Sequence, residues 1–174
     1  MKKKINKLSL ISLIICSVLC VALIVTQFIP FWSAEVKIET ESGEKVTQEK
    51  EFSVWDYLSF PGADVQKQLG KVFENEVGKD NYNINDLAGT ACLILGFGVL
   101  TIIFTALKYD KAWTFVFPLV CGVGSVYGYL TNPVLHMGKL WILPLIISAV
   151  ITVVALLAGI GFFVSIKKWF VDEV

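Results

Sequence analysis

The sequence contains no arginine; all fifteen basic residues are lysine. Without a planar guanidinium there is no bidentate clamp for phosphate or carboxylate. An all-lysine basic set also fits the AT-rich codons of a low-GC bacterium. Histidine is nearly absent. His136 stands alone, with no ligand-type neighbour at metal spacing, so the chain offers no metal site of its own. The residue reads as a polar group at a membrane interface or as a pH sensor. The four cysteines, Cys16, Cys20, Cys92 and Cys121, all lie in apolar runs. None falls in the long polar segment, so no structural disulfide is expected there. Inert, buried thiols are the plain reading, and redox or metal work the alternative. Charge is scarce, at 17% of residues, against about 25% in an average soluble domain. With 55% hydrophobic residues and a mean hydropathy of +0.68, the composition is that of a membrane protein.

Chemistry-bearing motifs are missing too. No phosphate loop, dinucleotide fingerprint or nucleophile elbow occurs. The segment Asp80–Asp86 suggests a calcium loop but fails the test: Tyr82 occupies a ligand place, and no glycine follows at the sixth position. No cofactor, metal or nucleic-acid partner is expected.

What the sequence does hold is four long apolar runs. The first, Leu8 to Ile29, has 22 residues and no charge, enough to cross a hydrocarbon core of about 30 Å. It is longer than a cleavable signal core and lacks a small-x-small cleavage site, so it reads as an uncleaved signal anchor. Pro30 ends it, with Phe31 and Trp32 at the interface. The other runs are Leu87 to Leu107, Ala112 to Leu130 with Pro118, and Leu140 to Ile166 with Pro144. None contains Asp, Glu, Lys or His between its ends. That absence argues against a pump, a proton-coupled transporter or an intramembrane protease of the aspartyl or metal type.

Lysine placement sets the orientation. With the N-terminus inside, the inner segments hold eight Lys against three acidic residues, and the 30–86 loop holds six Lys against twelve Asp and Glu. Every short inner segment then carries Lys, as the positive-inside rule asks. The expected fold is therefore an all-α membrane protein. A four-transmembrane-helix bundle carries a small extracellular α+β insertion, hairpin plus amphipathic helix, between helices 1 and 2. The domains are 1–30 (cytoplasmic N-terminus and first helix), 31–85 (extracellular) and 86–174 (helices 2–4 and cytoplasmic C-terminus).

Within the insertion, Glu35–Glu41 alternates polar and apolar residues, and Ser42–Lys45 makes a turn. Val46 through Trp55 can return as a second strand with Phe52 and Val54 on one face. Asp64 can cap a helix to about Val77, with Val65, Leu69, Val72 and Phe73 at helical spacing. Trp55, Tyr57 and Phe60 form an aromatic centre next to a Pro-Gly break. They read either as an interface or small core, or as anchors for a membrane or extracellular protein partner. Gly122, Gly124 and Gly128 in the third run are candidate helix-packing residues. The spacing of Gly124 and Gly128 lets helices approach closely, inside one bundle or between two copies.

Several segments resemble a group of small four-helix membrane proteins of gut Firmicutes. They are Phe31-Trp32, Trp55-x-x-x-x-Phe60-Pro61, Tyr82-x-Ile84-Asn85-Asp86, Lys108-x-Asp110-Lys111-Ala112-Trp113 and Gly128-Tyr129-Leu130-Thr131-x-Pro133-Val134-Leu135. The resemblance implies the same topology and a bacterial plasma membrane, with both termini cytoplasmic. It implies no activity. The expected function is non-enzymatic: an interaction, accessory or envelope component, with the lipid bilayer as first partner. The alternative is an oligomeric small-molecule transporter or channel, whose polar stripe would use Thr101, Thr105, Ser125 and Tyr129.

Orientation is open to a direct check. Single cysteines placed in the 34–82 segment are expected to react with impermeant thiol reagents on intact cells, and cysteines beside Lys108 or Lys168 are not. Labelling of the Lys108 loop from outside would reverse the orientation.

Overall fold

The computed structural model describes residues 7–39, 45–59, 64–78, 84–107 and 112–171. The chain is mostly helical, with one two-stranded antiparallel sheet. Two helices, over Asn85–Ala106 and Ile142–Gly161, are long and apolar enough to cross a membrane.

Four long helices pack in a ring: α1 (Lys7–Thr26), α4 (Ile84–Ala106), α5 (Val116–Thr131) and α7 (Ile142–Val171). Each touches its two neighbours, α1 on α4 and α7, and α5 on α4 and α7. The buried positions recur at three- and four-residue intervals: Leu13, Cys16, Cys20 and Leu23 on α1; Leu87, Ala91, Ile94 and Thr101 on α4; Cys121, Ser125 and Tyr129 on α5; Ser148, Ile151, Ala155 and Ala158 on α7. That is the spacing of a seam between nearly parallel helices. Hydropathy alone hides it, because the outward faces are apolar too. The faces differ in size instead. Cys, Ala, Ser and Thr are frequent inside, and Ile, Val and Leu dominate outside.

The helix boundaries have local causes. Helix α1 stops at Thr26, before the expected Ile29, because Gln27 and Phe28 donate to Ile24 and Val25 in a tighter terminal turn. Pro30 then cannot continue the ladder. The third apolar run divides into a 3-10 turn over Ala112–Phe115 and then α5. Pro118 sits in the first turn of α5, where its missing N–H is one that no helix could use. Pro144 occupies the same place in α7. Helix α4 begins at Ile84, three residues earlier than expected, and α7 runs on past Lys168 to Val171.

Between α1 and α4 the chain builds a cap on one end of the ring. Strands β1 (Trp32–Glu39) and β2 (Lys45–Phe52) pair with Trp32 opposite Phe52 and Lys37 opposite Thr47. The expected turn at 42–45 lies outside the described residues, apart from Lys45. The second strand is shorter than the expected run to Trp55: it stops at Phe52, and α2 (Val54–Ser59) follows. The reason is a capping box. Ser53 Oγ accepts from Asp56 N at 3.0 Å, and Asp56 Oδ2 accepts from Ser53 N at 2.9 Å. Helix α3 (Asp64–Val77) matches the expected amphipathic helix and buries Leu69 and Phe73. Gly78, at φ 84°, ends it in the left-handed region that glycine enters without strain. Across α3, Gln68 holds both backbone groups of Lys37: it accepts from the N–H at 2.8 Å and donates to the carbonyl at 3.2 Å. One edge of the hairpin is thereby closed.

Trp32 joins cap to ring. Its indole lies 5.1 Å from the Phe31 and Phe73 rings and 6.2 Å from Tyr57. Its Nε1 donates to the Val134 carbonyl at 3.0 Å, in α6 (Pro133–His136), the short helix between α5 and α7. Phe31 and Trp32, expected at an interface, are instead buried at 3% and 4% exposure. Phe31 lies flat over Gly138, where a Cβ would collide with the ring, and its carbonyl accepts from Lys139 N at 3.0 Å. Lys139 Nζ also meets Glu51 of β2 at 3.0 Å, but both groups are well exposed and the pair contributes little.

Replacing Trp32 by Ala is expected to lower stability by about 3–5 kcal/mol, as for other buried large aromatics. The loss should fall on the cap first. Limited proteolysis in detergent should cut the 34–82 segment faster while the helical circular-dichroism signal persists. Unchanged proteolysis would mean the cap is held elsewhere.

Candidate functional site

The aromatic centre of the cap separates in the structure. Tyr57 is 2% exposed and packs on Phe73 at 5.4 Å, so it belongs to the cap core and not to a contact surface. Trp55 points the other way. It is 40% exposed and lies 5.4 Å from Phe28 at the end of α1, while its N–H donates to the Gln27 carbonyl at 3.0 Å. Phe60 lies outside the described residues. Trp55 and Tyr57 therefore do not share one surface: on α2 they face different sides, as residues two apart on a helix do.

The three candidate glycines also separate, between two helix pairs. A Cβ at Gly122 would stand 2.5 Å from Thr152 Oγ1, 2.8 Å from the Thr152 backbone nitrogen and 3.0 Å from the Ser148 carbonyl. Here α5 and α7 touch backbone to backbone. At Gly124 the neighbour is the flexible end of Leu93, 2.5 Å away, and at Gly128 it is the side chain of Thr90. Those two residues face α4. All three glycines meet other helices of the same chain, so close approach within the bundle accounts for them.

Polar groups inside the ring are mostly tied to their own helices. Thr101 donates to Phe97, Thr105 to Thr101, Ser125 to Cys121, and Ser148 to Pro144, each to the carbonyl one turn back. These include three of the four residues expected along a pore, and their hydrogens are already used. The fourth, Tyr129, lies at the capped end. Its hydroxyl accepts from Gln27 Nε2 at 3.0 Å, and both residues are buried. Gln27, the one amide in the first apolar run, was the available sign of this junction.

Cys16, Cys20 and Cys121 are buried along the ring axis, while Cys92 faces outward from α4 and is exposed, contrary to its reading as a buried thiol. Among the described residues no group of three or more His, Cys, Asp or Glu is placed to hold a metal. His136 packs on Trp141 at 4.7 Å, and its Nε2 donates to the Tyr129 carbonyl at 2.6 Å. A carbonyl only accepts, so the hydrogen of this contact lies on Nε2.

A cleft of about 460 Å³ opens between α4 and α5 at the capped end. Asn85, Asp86, Thr131 and Asn132 line it near the helix ends, and Gly89, Thr90, Leu93, Gly124, Tyr127 and Gly128 line it further along. Its space comes from missing side chains: a Cβ at Gly89 would meet nothing within 4 Å. Asn132 is only 6% exposed. Its Oδ1 accepts from Val134 N at 3.0 Å and caps α6. Its amide nitrogen has no partner among the described residues. Nothing along the sequence links position 86 to position 132; the two line one cleft only in the fold.

The glycine geometry orders a set of substitutions. Gly122→Ala should be the most destabilising, by about 1–3 kcal/mol, since backbone cannot move aside. Gly124→Ala should be milder, because Leu93 can turn. Gly89→Ala should be neutral or stabilising by up to about 1 kcal/mol, the ordinary helix preference for alanine. Thermal unfolding in detergent reads the order; equal values for Gly122→Ala and Gly89→Ala would refute the α5–α7 contact. Comparison of the chain with models of known protein families, with curated proteins and with solved structures finds no match.

Proposed function

We propose that the chain is a four-span integral protein of the bacterial plasma membrane, with both termini in the cytoplasm. It acts without catalysis, as an interaction or accessory component. The observation that carries the membrane reading is the outer surface of the ring. Large apolar side chains are exposed on all four helices: Ile11, Ile15, Val18 and Val25 on α1; Val99 and Ile103 on α4; Val116, Val123 and Leu130 on α5; Ile146, Val150, Val153, Leu157 and Ile160 on α7. A soluble monomer rarely exposes an apolar patch beyond a few hundred Å², and here the patch encircles the molecule. Length supports the same reading. At about 1.5 Å per helical residue, α1 reaches about 30 Å; the 3-10 turn and α5 together reach about 32 Å. The exposed pair Phe28 and Trp55 sits where an interfacial aromatic belt would lie.

The interaction reading rests on the cap. It is seated by buried aromatic packing and presents a charged outer strand, with Glu49, Lys50 and Glu51 exposed. The rival reading, an oligomeric transporter or channel, needs a polar path between copies, since the hydroxyls inside one ring are bonded to their own backbone.

Site-directed photo-crosslinking separates the two. A photoreactive residue at Glu49 or Trp55 is expected to capture a discrete protein in cells, and one at Val153 to capture lipid only. Proteoliposomes are expected to pass ions and small solutes no faster than empty vesicles. Solute flux together with self-crosslinking from Val153 would transfer the assignment to an oligomeric channel.

A further inference from the structure

The cleft between α4 and α5 has a polar end, an apolar end and an opening on the perimeter of the ring. Its polar end holds Asp86, the one charged residue in the lining. Two hydroxyls there are already used: Thr90 donates to the Asp86 carbonyl at 2.9 Å, and Thr131 to the Tyr127 carbonyl at 2.8 Å. The Asn132 amide nitrogen has no acceptor among the described residues. It belongs to a side chain held in place by its own capping bond to Val134, and a buried donor without an acceptor is destabilising. The lining of one cleft thus holds one negative group and one fixed donor without an acceptor among the described residues. Leu93 and Gly124 lie further in, and Asp86 and Leu93 are separated by seven residues, or about 10 Å along α4. Tyr127, 69% exposed, walls the mouth.

We propose that this cleft binds one phospholipid whose headgroup ends in an ammonium group. The ammonium meets the Asp86 carboxylate, and the phosphate oxygens accept from the Asn132 amide. One acyl chain lies over Gly89, Leu93 and Gly124. The assignment rests on the membrane reading above, which puts the capped end of α4 and α5 at the outer leaflet. A lipid fits better than a partner helix for two reasons. Charge at one end and apolar wall at the other match an amphiphile standing along the bilayer normal. A partner helix would present apolar side chains to both ends and leave the Asn132 donor unanswered. A volume of about 460 Å³ also lies within the range of small-molecule sites.

The test uses the full chain in lipid nanodiscs of mixed phosphatidylethanolamine and phosphatidylglycerol, followed by native mass spectrometry after release. Wild type is expected to retain one phosphatidylethanolamine per chain, favoured about tenfold over phosphatidylglycerol, as one charge-assisted hydrogen bond would give. Asp86→Asn should bring the two lipids to near equality. Asn132→Asp keeps an oxygen to cap α6 but replaces the donor with a carboxylate, so it should lower retention of both. Gly89→Leu puts a side chain into the cleft from a position where its Cβ meets nothing within 4 Å. It should abolish retention while thermal unfolding stays at or above the wild-type value. Equal retention of both lipids by wild type, undiminished retention by Gly89→Leu, or a cleft occupied by a second copy of the chain would each overturn the site. A chain that enters nanodiscs and retains no lipid overturns the site alone; a chain that fails to enter overturns the membrane reading with it.

Discussion

Trp32 connects the parts of this molecule. Its ring fills the space between Phe31, Tyr57 and Phe73, and its indole N–H reaches across to the Val134 carbonyl. A two-stranded hairpin with short helices has too little core to be stable by itself. Here that core is completed by the far side of the chain, where Val134 and Leu135 are buried beneath the cap. The same contact immobilises the α5–α6 turn. Asn132 caps α6 from within that turn, so its side chain is held in one direction. The polar end of the α4–α5 cleft is thereby tied to the Trp32 contact with Val134.

The ring below the cap follows a different physical rule. Inward and outward faces are both apolar, so burial of apolar surface cannot by itself choose which face turns in. Size and hydrogen bonding choose. Small residues allow close approach, and at Gly122 the neighbour includes the α7 backbone itself. Hydroxyls can turn inward because they donate to the carbonyl one turn back and leave no donor unsatisfied. Gln27 and Tyr129 satisfy each other where α1 and α5 end, so an amide and a phenol are accommodated under the cap. On the outside, branched apolar side chains stand free on every helix. The inward preference for small residues and the outward preference for large ones are what a hydrocarbon solvent favours.

Close approach and open space come from the same residue type. Gly128 and Gly124 let α4 and α5 meet at Thr90 and Leu93, whereas Gly89, one turn toward the capped end, meets nothing and leaves the cleft. Which glycine packs and which leaves room depends on the helix face it occupies: Gly89 and Thr90 are adjacent on α4, yet of these two only Thr90 meets α5.

The sequence by itself determined the long helices, because an uninterrupted apolar run can satisfy its backbone only as helix when water is scarce. It also determined α3, through its 3.6-residue period. It misled at Phe52–Trp55, where the alternation of Phe52 and Val54 continued a strand pattern across a boundary. There the Ser53–Asp56 capping box, also legible, had the stronger local hydrogen bonds. Gly122 and Gly124 could be read as facing opposite ways, since two residues turn a helix by about 200°. Their neighbours could not. The burial of Phe31 and Trp32, the parting of Trp55 from Tyr57 and the placing of Asp86 and Asn132 in the lining of one cleft were decided only by tertiary structure. Each depends on the relative rotation and crossing of elements distant in the chain, and a linear pattern of hydropathy carries no record of either.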